Sequence, residues 1–293
     1  MVGFGTKSQG PSKLSIVTEI VSSSILPRMR WLLFFLFPFL LHGFYEGNPG
    51  SPGIMNAGFF TSRNPWIKIT TGYLADYTSN KRYVASGGNE NFDPNDTFKE
   101  FGLHSQLGTF SLILLERLEF MGTLGGTKER AKWHDQPMRD DPLSIYFDFK
   151  SSHSFSWSAG AKVILLQWGQ TFFSTDFTYF EVPETSKSYF QFFQQSEEAA
   201  PAVKQRFFMK EWQAGVGLAS RFWILTPYVG ADYLRSRMKI QKGPATPAIF
   251  YENEQTIGYF YGATLSLGPK FFVNFERRVR NEFAYSLSTI AVF

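Results

Sequence analysis

The sequence predicts an all-β protein: a single antiparallel barrel that crosses a membrane with about ten strands. Three observations predict it. Apolar and polar side chains alternate along segments of ten or more residues, the apolar side of each segment begins or ends with an aromatic residue, and short and long connections follow one another along the chain. A tilted strand needs roughly 9–11 residues to cross the hydrocarbon layer, whereas soluble strands are about half as long.

The alternation is clearest at residues 66–77 (WIKITTGYLADY), where isoleucines and tyrosines share one side and Lys68 and Asp76 lie on the other. Residues 155–163, 212–222 and 270–279 alternate in the same way. A soluble β-sandwich also alternates. The aromatic ends favour instead a lipid-facing band with aromatic girdles around a wet interior.

The composition of the chain argues against several classes of function. Aromatic residues make up 18% of the 293 residues, which favours strands. The absence of cysteine excludes disulfides, thiol nucleophiles and cysteine zinc sites. The net charge of +4 is scattered and forms no basic stripe, so nucleic acid is not an expected partner. Neither HExxH nor GxSxG occurs, and we expect no enzyme, metal or cofactor.

Residues 29–43 (MRWLLFFLFPFLLHG) combine a basic start with an apolar run that is too short for a membrane-spanning helix. This pattern predicts the apolar region of an export signal, with Met29 as an alternative start. A buried apolar segment is the alternative interpretation. The expected organisation is an N-terminal extension and signal over residues 1–45 and a barrel over residues 46–293.

Ten strands give a consistent order, with both ends of the barrel on the periplasmic side. Upward strands are predicted near 66–77, 118–127, 171–182, 227–240 and 270–279, and downward strands near 98–115, 153–166, 211–222, 256–267 and 281–293. Long extracellular loops are predicted at 78–97, 128–152, 183–210 and 241–255, with short turns between the other strands. Residues 143–149 and 189–193 are either hairpin arms or further strands, which would raise the count to twelve to fourteen.

The chain closes on an alternating strand that ends at Phe293. In lipid the last strand of a barrel must pair with the first, because an open edge leaves backbone groups without partners. A terminal Phe on such a strand is also the signal that the bacterial barrel assembly machinery reads, so this machinery is an expected partner.

The polar sides of the strands define candidate pore-lining residues. They are Lys68, Asp76, His104, Gln106, Lys162, Gln213, Arg221, Asp232, Lys270, Asn274, Glu276 and Arg278. One interpretation is a mixed-charge pore wall that selects solutes, with a weak preference for anions. The other is a set of internal salt bridges that fills a narrow barrel, since an eight-strand interior is just filled by side chains.

Several blocks resemble the chlamydial major outer membrane protein family. They are GNPGSPG (47–53), LLERLEFMGTLGGT (114–127), FSWSAGAKVILLQWGQTFFSTDFTY (155–179), EWQAGVGLASRFWILTPYVGADYLRSR (211–237) and GATLSLGPKFFVNFERRVRNEFAYSLSTIAVF (262–293). The blocks cover about half the chain in family order. The resemblance implies an outer-membrane porin that passes small solutes, with a homotrimer as one form of assembly. This chain departs from the family in lacking cysteines and in having shorter loops.

The expected function is a porin-like channel for passive diffusion in the outer membrane. The alternatives are a structural or adhesive outer-membrane barrel with little or no conductance, and a soluble periplasmic β protein such as a lipid carrier. Outer-membrane lipid and lipopolysaccharide are expected partners. Arg235, Arg237 and Lys239 share one strand face, where they either meet lipopolysaccharide phosphates or are solvated.

Overall fold

The structure is a computed structural model that describes residues 47–54, 66–87, 97–135, 145–151, 153–193, 196–199, 203–241, 248–279 and 282–293. The predicted export signal lies outside these residues. The described part contains one short helix, α1 (Ser51–Ile54), and no helix there is long and apolar enough to span a membrane. Its strands are β1 (Ile67–Gly87), β2 (Thr97–Leu114), β3 (Leu118–Asp135), β4 (Ile145–Lys150), β5 (Ser154–Trp168), β6 (Thr171–Phe193), β7 (Ser196–Ala199), β8 (Val203–Ser220), β9 (Leu225–Gln241), β10 (Ile249–Asn253), β11 (Ile257–Ser266), β12 (Phe271–Val279) and β13 (Phe283–Val292).

Ten of these strands close into an antiparallel barrel. The order around the ring is β1, β2, β3, β5, β6, β8, β9, β11, β12 and β13. The last strand pairs with the first, from Thr70↔Val292 to Ser79↔Phe283, so the ring has no open edge. The predicted ten-strand barrel and its closure by the C-terminal strand are confirmed.

The two segments that could have raised the strand count, near residues 143–149 and 189–193, add no strand to the ring. Strand β4 continues the line of β5 between β3 and β6, and residues 189–193 are the far end of β6. The strands also run well into regions that were predicted to be loops, since β1 reaches Gly87 and β8 begins at Val203. The barrel wall is therefore taller on the long-loop side than the sequence pattern indicated.

The barrel narrows from ten strands to eight on the side of the long loops. Beyond Ser79, β1 leaves β13 and pairs with β10 instead, with Tyr83 opposite Asn253. Strand β10 pairs in turn with β9. The upper ring is then β1, β2, β3, β4, β6, β8, β9 and β10. Side chains alone can fill an interior of that width.

The outer face carries a continuous apolar band bordered by aromatic rings. At the short-turn end, Trp66 is 60% exposed and Trp223 is 85% exposed. At the other border Tyr77 lies opposite Tyr285 on the neighbouring strand, and both rings are exposed. Aliphatic and phenyl side chains such as Ile69, Phe120, Leu124, Val216, Phe275 and Leu287 are exposed between the two borders. Such a band suits the hydrocarbon layer of a membrane and would be unfavourable in water.

Candidate functional site in the barrel lumen

Most of the predicted pore-lining residues do face the interior. Seven of the nine principal candidates are buried there: Lys68, Asp76, Lys162, Gln213, Asn274, Glu276 and Arg278. The other two stand at the mouth of the barrel, because each lies where a strand meets a short turn. Lys270 is exposed just before β12, and Arg221 is half-buried just after β8. Whether any of these residues lines a conducting path stays a prediction.

Two further candidates, His104 and Gln106, were assigned to the wrong face of β2. Both are exposed on the outside, where His104 lies edge-on to Tyr77 with 6.0 Å between the ring centroids. Their neighbours Leu103 and Leu107 point inward and are buried. The error arises because the assignment assumed a polar interior at every level, whereas part of this interior is apolar.

A short stretch of the chain before the first strand lies inside the barrel. Residues 47–54, named the inner segment here, lie inside the ten-strand part and bond to four different strands. Gly47 N donates to Glu276 Oε2 (3.1 Å), Asn48 Nδ2 to Thr264 Oγ1 (2.8 Å), Lys162 Nζ to Asn48 O (3.2 Å) and Ser51 Oγ to Glu119 Oε2 (2.5 Å). These bonds pair buried polar groups that would otherwise destabilise the fold.

The inner segment also has an apolar anchor. Ile54 is 2% exposed and packs in a cluster with Ile113, Ile164, Phe172, Phe272 and Val292. Pro49 contacts the wall where β8 carries Gly217, because a Cβ atom at that glycine would lie 2.4 Å from Pro49 Cγ. The wall is thus shaped to admit this segment, and a larger residue on β8 would collide with it.

We expect the substitution Gly217→Leu to loosen the inner segment. The test uses a Ser51→Cys probe, since the chain has no other cysteine. In the Ser51→Cys background, thiol labelling of reconstituted barrels should be slow, and adding Gly217→Leu should accelerate it. Gly108→Leu is the matched control, because its Cβ would meet only Leu124 O at an ordinary 3.7 Å. Equal labelling rates in the two glycine variants would argue against the contact.

A cavity remains beside the inner segment in the ten-strand part. Its wall is rich in hydroxyl groups, including Thr70, Ser111, Thr123, Ser158, Thr178, Thr264 and Ser288. Several of these bond to each other between neighbouring strands, as in Thr70–Ser111 at 2.6 Å and Thr123–Ser158 at 2.7 Å. The wall of this cavity therefore carries many polar groups, as the strand pattern predicted. Nearer the short turns the interior is apolar instead, because the cluster around Ile54 lies there.

Above the cavity, ion pairs cross the lumen. We name the residues Asp76, Lys81, Glu211, Glu276, Arg278 and Glu282 the charged cluster; each is at most 2% exposed. Lys81 on β1 pairs with Glu211 on β8, and four strands separate β1 from β8 in either direction around the ten-strand ring. Lys81 Nζ also lies 3.0 Å from Glu282 Oε2. This bridge spans the barrel at the level where it narrows.

Arg278 is the second basic residue of the charged cluster. It pairs with Asp76, and its guanidinium lies 3.8 Å from Glu276 and 4.0 Å from Glu282. Ser286 donates a further hydrogen bond to Asp76. The sequence identified Asp76, Glu276 and Arg278, but it missed Lys81, Glu211 and Glu282. These three lie in or beside segments that were predicted to be loops or turns.

A layer of apolar side chains fills the eight-strand part above the charged cluster. We name it the ring layer: Tyr83, Phe101, Leu103, Ala131, Phe180, Val182, Phe207, Met209, Met238 and Tyr251. Phe101 on β2 and Phe207 on β8 are stacked, with centroids 6.4 Å apart. Tyr83 meets Phe101 edge-on at 5.1 Å and bonds Ser236 through its hydroxyl at 2.7 Å. In the sequence, the aromatic residues beyond the membrane band were the signal for this layer. The alternation alone did not show whether these residues face the interior or the lipid.

Three features obstruct the lumen one above another. They are the inner segment, the charged cluster and the ring layer. Glu276 links the first two, because it accepts from Gly47 N at 3.1 Å and from Tyr228 Oη at 3.0 Å while it approaches Arg278. Buried ion pairs of this kind hold only when their geometry is complete, since an isolated buried charge is costly. The described residues therefore obstruct the lumen at three levels, and a cavity is left beside the inner segment in the ten-strand part.

The basic residues of β9 lie outside the barrel, beyond the aromatic border. Arg235 and Arg237 approach Glu252 at 3.5 Å and 2.7 Å, and Lys239 approaches Glu184 at 3.4 Å. Exposed pairs of this type contribute about 0–1 kcal/mol each. Contact of these residues with lipopolysaccharide stays a prediction.

Phe293 follows directly on β13 and joins the barrel seam. Its N–H donates to Ile69 O at 2.8 Å, and Ile69 N donates back to Phe293 O at 3.5 Å. The terminal residue therefore takes part in closing the ring. Its role as an assembly signal stays a prediction.

No protein-family model matches the chain, and no curated protein matches its sequence. Solved structures match its fold. The toluene transporter TbuX of Ralstonia pickettii is 9% identical, with 84% of this chain and 91% of that chain covered and a TM-score of 0.36. The outer membrane protease OmpT of Escherichia coli is 12% identical, with 77% and 94% covered and a TM-score of 0.40. The translocator domain of the autotransporter NalP of Neisseria meningitidis is 11% identical, with 83% and 91% covered and a TM-score of 0.38. These similarities concern the fold alone. The assignment of a closed antiparallel barrel of ten strands rests on the strand pairing of this chain.

Proposed function

We propose that this protein is an outer-membrane barrel with a closed lumen, which acts as a structural or adhesive surface protein with little or no conductance. The observation that carries the proposal is the filling of the eight-strand part by the ring layer, directly above the charged cluster. A passive pore needs a continuous aqueous path, and Phe101, Phe180 and Phe207 occupy that path with at most 2% of their surface exposed.

The outer-membrane location is part of the proposal. It is supported by the exposed apolar band with aromatic borders, which suits lipid, and by the expected export signal at residues 29–43. The short turns at one end and the mostly longer connections at the other fit a barrel inserted from the periplasm, although β12 and β13 are joined at the second end by residues 280–282 alone. Assembly as a homotrimer and delivery by the barrel assembly machinery remain proposals that follow from the resemblance and from Phe293.

The proposal predicts that the purified, refolded protein does not permeabilise vesicles. Liposomes that contain it should not swell in isotonic arabinose or glucose, and planar bilayers should show no regular current steps in 1 M KCl. A general porin reconstituted in parallel serves as the positive control. Swelling at a rate similar to that of the control would contradict the closed lumen.

A second candidate is the porin-like channel expected from the sequence. It is favoured by the inner segment, which is not part of the wall and is held by a few hydrogen bonds and one apolar side chain. A movable obstruction with a polar cavity beside it is what a gated diffusion channel for small solutes would need. In that case the ring layer and the charged cluster must also rearrange, because removal of the inner segment alone leaves both in place.

A further inference from the structure

A cleft of about 330 Å³ lies on the outer face of the barrel, where β8, β9, β10 and the end of β1 meet. Its walls are side chains that point away from the lumen, since their chain neighbours Met209, Met238 and Tyr251 are buried inside. We name it the outer cleft, and its main lining residues are Phe208, Lys210, Arg237, Lys239, Phe250 and Glu252.

The outer cleft begins just beyond the aromatic border of the apolar band. Trp212 on β8 belongs to this border: it is 45% exposed, and its ring centroid lies 4.3 Å from that of Tyr179 on β6. Arg235 lies directly opposite Trp212, and Lys210 lies opposite Arg237 one outward-facing position further from the band. Aromatic borders mark the level of the lipid headgroups. The basic side chains of the cleft therefore lie at the height of the headgroup phosphates.

The basic groups of the outer cleft keep donors available to a ligand. Lys210 Nζ lies 6.0 Å from the centroid of the Phe208 ring and makes no ion pair with the described residues. Arg237 donates to Glu252 through Nε alone, at 2.7 Å, so its two terminal nitrogens can donate elsewhere. Lys239 joins them on the next outward-facing position of β9. Arginine and lysine side chains that converge in this way are typical of phosphate sites.

Two phenyl rings flank this basic group. Phe208 on β8 and Phe250 on β10 lie on either side of Lys239 in the strand register. Gly87 lies opposite Phe250, and a Cβ atom there would meet nothing within 4 Å, so space remains beside the Phe250 ring. The apolar faces of sugar rings pack well against such phenyl rings. Cations between two rings therefore suit a phosphate group that is attached to a sugar.

We propose that the outer cleft binds the phosphorylated diglucosamine headgroup of lipid A. Lys210 and Arg237 bind a phosphate, Phe208 and Phe250 pack against the sugars, and the acyl chains extend along the apolar band below. This inference rests on the outer-membrane location in the proposed function, but it is independent of whether the lumen is closed.

The test measures lipid binding to the refolded barrel in detergent micelles by native mass spectrometry. The probes are bisphosphorylated lipid A and the same lipid after removal of its phosphates. We expect the phosphorylated form to bind with a Kd lower by about tenfold or more, because charge-assisted hydrogen bonds to phosphate are lost in the other. Equal Kd values for the two lipids would overturn the proposal.

Two further probes separate a lipid from a soluble phosphate. They are the phosphorylated diglucosamine without acyl chains and inorganic phosphate. Both should compete with lipid A only weakly, since neither contacts the apolar band. Competition by either one at the concentration of lipid A itself would overturn the assignment of a lipid ligand.

A pair of variants locates the site. Lys210→Gln with Arg237→Gln should raise the Kd for lipid A about tenfold. The matched control is Lys128→Gln with Arg130→Gln, which also removes one lysine and one arginine from exposed outward-facing positions. These positions lie on β3, four strands from β9 in either direction around the eight-strand ring.

The control variant should bind lipid A as the wild type does. Equal losses in both variants would overturn the proposal, because they would indicate a general attraction between a basic protein and an anionic lipid. If the cleft variant does not fold, as judged from its heat-modifiable gel band, the comparison of the two lipids on the wild type still decides. Vesicle swelling is measured separately, so a failure of the closed lumen is distinguished from a failure of lipid binding.

Discussion

The substitution Arg278→Met should destabilise the barrel by about 3–5 kcal/mol, the cost expected when one partner of a buried ion pair is removed. Arg278 is fully buried, pairs with Asp76 and lies within 4.0 Å of Glu276 and Glu282. Methionine keeps much of the side-chain volume but leaves three carboxylates without this basic partner. Urea titration of the reconstituted protein, followed by tryptophan fluorescence, measures the change.

Arg277→Met is the matched control for this experiment. Arg277 is next in the chain but points outward, where its guanidinium lies 5.2 Å from the centroid of the Tyr285 ring. Arg277 is half-buried and also reaches Tyr261 Oη at 3.4 Å, so we expect its replacement to cost about 1 kcal/mol, which is well below the cost at Arg278. Equal losses of unfolding free energy in the two arginine variants would contradict the interior position of Arg278. They would also contradict the assigned alternation of β12.

A combined variant should convert the closed barrel into a conducting one. It deletes residues 47–54, removes the cross-lumen pair with Lys81→Ala and Glu211→Ala, and opens the ring layer with Phe101→Ala and Phe207→Ala. Since the three obstructions lie in series, each change alone should leave conductance near that of the wild type. Their combination should give discrete channel openings in planar bilayers.

The control for the combined variant uses the same chemistry on the other face. Phe275→Ala and Phe283→Ala also remove two phenyl rings, but these rings are 49% and 44% exposed on the outside. They should not change the conductance of the barrel. Large openings after deletion of residues 47–54 alone would contradict the series arrangement and would favour the gated channel over the closed barrel.

The wall could be predicted closely where a strand has one apolar and one polar side. On β12 and β13 the sequence places Phe275, Tyr285 and Leu287 outside and Asn274, Glu276 and Ser286 inside, and the structure agrees. Period-two alternation fixes these positions because a slip of one residue would turn every side chain to the opposite face.

The narrowing and the ring layer could not be predicted in the same way. The narrowing depends on the pairing of Tyr83 with Asn253, two residues far apart in sequence, and no local pattern reports that contact. On β2 both faces contain apolar residues, so alternation gives no direction, and His104 was placed inside when Leu103 is the buried neighbour. The inner segment is short and rich in Gly and Pro, and a local pattern cannot indicate that such a segment folds back into a barrel.

The central claim is that the aromatic and aliphatic sides of the strands face lipid while the polar sides face an enclosed interior. Single cysteines at successive positions of β13, from Phe283 to Val292, test it directly in this cysteine-free chain. Each is labelled with an environment-sensitive fluorophore before refolding into vesicles that contain a nitroxide-labelled lipid. The account predicts strong quenching at 283, 285 and 287 and weak quenching at 284, 286 and 288. Quenching with the opposite phase, or without a period of two, would contradict it.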